Sequence, residues 1–61
     1  MAQITEKELA ALGDLLSAEK LACAKYRSIA QGTQDAALKD RYTQLADRHQ
    51  RHFETLYANL K

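Results

Sequence analysis

Apolar residues recur along this chain at alternating intervals of three and four, in two stretches separated by a short polar break near residue 33. The first stripe runs Leu9, Leu12, Leu16, Glu19, Cys23, Tyr26, Ala30 and is widened on one side by Leu15, Ala22 and Ile29. The second runs Leu38, Tyr42, Leu45, His49, His52, Leu56, Asn59 and is widened by Phe53, Tyr57 and Leu60. This is the period of an α-helix that turns one face to a partner. The pattern therefore predicts two amphipathic helices.

Local chemistry sets their ends. Thr5 and Glu8 have capping-box spacing, with Ile4 and Leu9 flanking the cap as a hydrophobic staple, so the first helix is expected to begin at Glu6. It is expected to end near Gln31, where Gly32 can take the left-handed conformation and Thr33 or Asp35 can cap the next helix. Helix two then runs from Ala36 to Leu60. There is no proline, and the abundance of Ala, Leu, Gln, Lys, Glu and Arg favours helix throughout. Two rods of about 25 residues, each roughly 38 Å long, joined by about four residues, pack antiparallel. The predicted fold is all-α, a single helical-hairpin domain over residues 1–61 with helices at 6–31 and 36–60. Gly13 falls inside helix one, either as a neutral substitution that costs about 1 kcal/mol or as the mark of a close helix crossing.

A chain of 61 residues buries only about 60% of the surface its unfolded form exposes, so its core needs a supplement. The single cysteine, Cys23, cannot close an internal disulfide, and no Cys/His cluster has zinc-finger spacing. Association remains. Both stripes are too wide for one partner helix to cover, which points to a homodimer forming a four-helix bundle. Nine Lys and Arg against eight Asp and Glu leave a net charge of +1, too little to single out nucleic acid or anionic lipid as a partner. No apolar run approaches the roughly 20 residues of a membrane span, and the start does not read as a signal peptide, so a cytoplasmic location is expected. An unpaired thiol agrees with a reducing compartment.

The chemistry lies in the polar residues of the stripes. Folding the hairpin about residue 33 or 34 sets Glu19 level with residue 48 or so, facing His49 and His52, which are neighbours on one helix face. A dimer would double the set to two carboxylates and four imidazoles. Such ligands suit iron, manganese or zinc in a bundle core. The same three residues also fit a hydrogen-bonded polar layer that fixes register and oligomeric state. Cys23 reads as a small buried side chain rather than a nucleophile, and Tyr26 and Tyr42 as core residues whose hydroxyls are in reach of the histidines. Asp47, Arg48 and Arg51 read as a solvated face, with Asp47 and Arg51 at ion-pair spacing. No phosphate-binding Gly-rich loop, nucleophile elbow or catalytic triad is present in the sequence.

The run Glu19-Lys-Leu-Ala22-Cys-Ala-Lys-Tyr26, followed by Leu45-Ala-Asp-Arg-His49-Gln-Arg-His52, resembles half of a ferritin-like, rubrerythrin-type bundle. The opening Thr5-Glu-Lys-Glu-Leu9, the segment Leu15-Leu-Ser-Ala-Glu19-Lys20 and the stretch through His49-Gln50 resemble the short spore-coat F-type hairpins of the same group. The resemblance implies a hairpin that dimerises into the ferritin-like bundle, with Glu19 and His52 at metal-ligand positions. One departure matters: where the di-iron pattern has the Glu of Glu-x-x-His, this chain has His49, which halves the bridging carboxylates. That departure turns the expectation away from oxidase chemistry. The sequence thus carries two functional expectations: a small homodimeric structural or interaction module, coat- or storage-associated in a larger assembly, or a metal-binding or redox protein using Glu19, His49 and His52.

Overall fold

The computed structural model describes residues 4–60, and these form two helices, α1 from Glu6 to Gly32 and α2 from Ala36 to Ala58. The helices lie against each other along their length as an antiparallel hairpin with extents of 47 × 16 × 11 Å. Neither helix is long and apolar enough to cross a membrane.

The start of α1 matches its sequence signal. Thr5 Oγ1 accepts the Glu8 N–H at 3.0 Å, and the Glu8 carboxylate accepts the Thr5 N–H at 3.2 Å, completing the capping box. Its end departs from expectation. The helix includes Gly32, neither glycine has positive φ, and the chain leaves through an extended Thr33 whose N–H closes on Ile29 O at 3.1 Å. An extended exit removes the need for a left-handed residue. Thr33 Oγ1 then accepts the Asp35 N–H, and Asp35 caps α2 by accepting the Leu38 N–H at 3.0 Å. Helix α2 stops at Ala58, two residues short of expectation. There the i→i−4 pattern gives way to tighter bonds from Asn59 to Leu56 O and from Leu60 to Tyr57 O.

On α1 the buried line follows the expected stripe from Leu12 onward, while Leu9 at its start is exposed. Cys23 and Ala30 are buried, and Leu12, Leu16, Glu19 and Tyr26 are half-buried. On α2 the line is rotated by about one residue. Ala46, outside the expected stripe, has no exposed surface, and Phe53 is half-buried, while Leu38 and His52 lie toward solvent. An alanine buried between two helices lets their axes come together with little side-chain bulk between them. That rotation turns Leu38, Leu45 and His52, each seven residues apart and therefore on one face, to the side of the hairpin. Gly13 makes no close crossing: a Cβ placed there would meet nothing within 4 Å.

Candidate metal centre

Glu19 is the midpoint of α1, with thirteen residues of the helix on either side. His49 and His52, one turn apart on α2, reach it from the facing helix. Their separation by three positions puts both rings over the same carboxylate. His49 Nδ1 lies 2.6 Å from Glu19 Oε1, and His52 Nδ1 lies 2.8 Å from Glu19 Oε2. One carboxylate thus engages two imidazoles, each oxygen taking one ring. The expected trio is assembled as a unit, and its ligand atoms all lie within 4.8 Å of one another.

The cluster is sheltered unevenly. The Glu19 side chain is 15% exposed, His49 24% and His52 51%, so the cluster opens on the His52 side. That opening is a groove of about 320 Å³ lined by Leu15, Glu19, His52, Thr55 and Leu56. Aromatic rings wall the other side. Tyr26 stacks on His49 with centroids 5.5 Å apart and planes at 20°, and Tyr42 stacks on Tyr26 at 5.8 Å. The histidines themselves meet edge to face at 5.7 Å. Tyr26 meets His49 through its ring face, and the partner of both Nδ1 atoms is Glu19.

The hydrogen bond from His49 is the largest influence on Glu19 and holds its carboxyl below the ordinary 4.5. Charge attraction to His49 and His52 acts in the same direction, against the opposing effect of partial desolvation. A carboxylate is therefore kept ionised beside two imidazoles, as a cation site requires. Two imidazoles and one carboxylate are a donor set shared by zinc sites with an open coordination position and by non-haem iron sites. Bonds of about 2.0–2.2 Å imply ligand–ligand edges of about 3.0–3.4 Å around an ion. The present separations of 2.6 and 2.8 Å are those of hydrogen bonds. An ion held by this trio would replace the protons between the carboxylate and the rings and widen the two Glu19–His separations by about half an ångström, a movement within reach of side-chain torsions.

Other side chains expected near the site fall outside it. Cys23, one turn beyond Glu19, is buried, and its Sγ lies 3.6 Å from Gln50 Oε1 and 3.7 Å from Arg27 Nη2. Asp47 takes Arg27 of the facing helix as its partner at 3.2 Å, in place of the expected Arg51. Sequence reasoning missed this cross-hairpin pair because it weighed Asp47 only against its own helix. The hairpin register that levels Glu19 with residue 48 or so puts Arg27 level with residue 40 or so, and thus gave no signal for this pair. Comparison with protein-family models, curated proteins and solved structures finds no match to this chain.

Proposed function

We propose that this chain is a ferritin-like metal-binding hairpin in which Glu19, His49 and His52 take up one first-row transition ion, zinc, iron or manganese. The observation that carries the reading is the convergence of three ligand atoms within 4.8 Å from two facing helices, at the mid-length of the hairpin. Both ring nitrogens that face the carboxylate are preset in direction by the same group, so little side-chain freedom is lost on binding. The groove on the His52 side supplies the entry path and room for a solvent ligand. Three protein ligands leave further coordination positions to be filled by water or another ligand.

A second reading keeps the cluster as a polar layer in a structural or interaction module, coat- or storage-associated. It is favoured by one observation: each Nδ1 already has a carboxylate oxygen at hydrogen-bond distance, so the layer is satisfied without an ion. Elemental analysis of tag-free protein after equilibration with Zn²⁺, Fe²⁺ or Mn²⁺ separates the two. The metal reading expects near-stoichiometric retention that falls in Glu19→Ala, His49→Ala and His52→Ala. Less than about a tenth of an equivalent, against the tight binding a three-ligand site confers, leaves the structural layer.

A further inference from the structure

The charges of α2 are sorted around the helix. Asp40, Asp47 and Glu54 recur every seven residues along one line, and their contacts lie toward Arg27: Asp47 pairs with Arg27 itself, and Glu54 accepts from Gln50, which reaches Cys23. Arg41 and Arg48, also seven apart, stand on a different line, beside Leu38, Leu45 and His52. Their neighbours three and four positions away on α2 are Ala37, Leu38, Gln44, Leu45, Arg51 and His52, none of them acidic. Among the described residues neither guanidinium has an ion pair or a hydrogen bond. Arg51 is left in the same condition by the diversion of Asp47 to Arg27. A net charge of +1 over the whole chain thus hides a local cationic surplus.

Arg41 and Arg48 share a groove of about 300 Å³ with Gln44 and Leu45. Their stems leave α2 two turns apart, about 10.5 Å along the axis, yet both residues line the same space. Two cations on one groove repel each other, and an anion between them turns that repulsion into attraction. A second groove of about 410 Å³, lined by Ala37, Leu38, Arg41, Tyr42 and Leu45, adjoins the first through Arg41 and Leu45. Leu38 is 48% exposed there. One end of the joined cleft is therefore cationic and the other apolar.

We propose that this cleft binds a phosphate monoester carried on an apolar or aromatic group, its phosphate held by Arg41, Gln44 and Arg48 and its apolar part laid on Leu38, Tyr42 and Leu45. A guanidinium presents a planar fork of N–H donors that pairs with two oxygens of one oxoanion, and the Gln44 amide adds a neutral donor. A phosphate monoester brings about −1.5 to −2 charges and three terminal oxygens at neutral pH, which suits two cations and a third donor group. A carboxylate brings one charge and two oxygens and leaves part of that set unused. The apolar half of the cleft gives the ester cover that inorganic phosphate cannot use. Glu19, His49 and His52 take no part, so the site stands apart from the metal reading.

The test is a titration of chelator-treated, nitrogen-15-labelled protein with phenyl phosphate, followed by the amide resonances of Gln44, Leu45 and Arg48. The shifts are expected to saturate with a midpoint at or below about 5 mM, the affinity that about eleven non-hydrogen atoms confer at ordinary ligand efficiency, and a titration still linear at about 50 mM overturns the proposal. Phenyl phosphate is expected to bind at least about fivefold more tightly than either inorganic phosphate or benzoate; equal affinities overturn the ligand class. Arg41 and Arg48 are exposed, so Arg41→Gln and Arg48→Gln are expected to keep the helical content while weakening binding at least about fivefold each. Arg51→Gln removes the same charge outside the groove and is expected to change affinity by less than about twofold. Equal losses in all three variants show a diffuse charge effect and overturn the site. Co-sedimentation with vesicles of phosphatidic acid and phosphatidylcholine in equal parts, without saturable binding of phenyl phosphate, assigns the cleft to a lipid headgroup and overturns the free ester.

Discussion

Glu19 holds His49 Nδ1 at 2.6 Å through one carboxylate oxygen and His52 Nδ1 at 2.8 Å through the other. A single acidic side chain thereby fixes the direction of two rings on the facing helix, and removing it is a different act from removing either ring. Glu19→Gln keeps the shape but loses the charge, so under the proposed metal-binding function zinc affinity is expected to fall by more than the 10- to 100-fold typical of a group that only orients a ligand. His49→Ala is expected to cost more in folding stability than His52→Ala, because His49 also stacks on Tyr26 and is the less exposed ring. Isothermal titration with Zn²⁺ and denaturant midpoints of the three variants check both orders.

Acid should weaken the hairpin from the carboxylate side. The folded-state pKa of Glu19 lies below its ordinary 4.5, chiefly through the His49 hydrogen bond, and Glu8 is lowered in the same way by Thr5. A depressed carboxyl contributes stability that is fully present above the unfolded value and is lost as pH falls through the folded one. Urea midpoints should therefore hold for these two groups down to about pH 5 and decline below it. Glu19→Gln should flatten part of that decline; an acid limb identical to wild type would show that the bond to His49 contributes no linkage.

Gly13 and Gly32 both lie in α1 with negative φ, and a methyl group added at either would meet nothing within 4 Å. Gly13→Ala is expected to raise stability by about 1 kcal/mol, the full helix-interior difference, and Gly32→Ala by less because it ends the helix. Thermal unfolding at fixed protein concentration measures both. A destabilised Gly13→Ala would reveal a close crossing in the assembled protein.

Two polar contacts of similar length should differ in weight. The Arg27–Asp47 pair has side chains 42% and 51% exposed, so a double-mutant cycle through Arg27→Met and Asp47→Asn should give a coupling of about 0.2–1 kcal/mol that shrinks in salt. Asp35 bonds a helix N–H that has no intrahelical partner, and Asp35→Ala should cost about 1 kcal/mol with little salt dependence.

Much of this molecule was legible along the chain. The two helices, the capping box at Thr5 and Glu8 and the pairing of Glu19 with His49 and His52 all follow from short-range regularities, because helix period, cap chemistry and hairpin register are properties of neighbouring residues. What the chain alone did not decide was rotation about the helix axes. Periodicity marks an apolar stripe but leaves its centre uncertain by a residue. Packing resolved it by burying Ala46 completely between the helices and turning Leu45 and His52 to the flank. The same rotation set Arg27 against Asp47 and laid Tyr26 flat on His49. Such contacts depend on where two helices touch, and only the assembled hairpin holds that information.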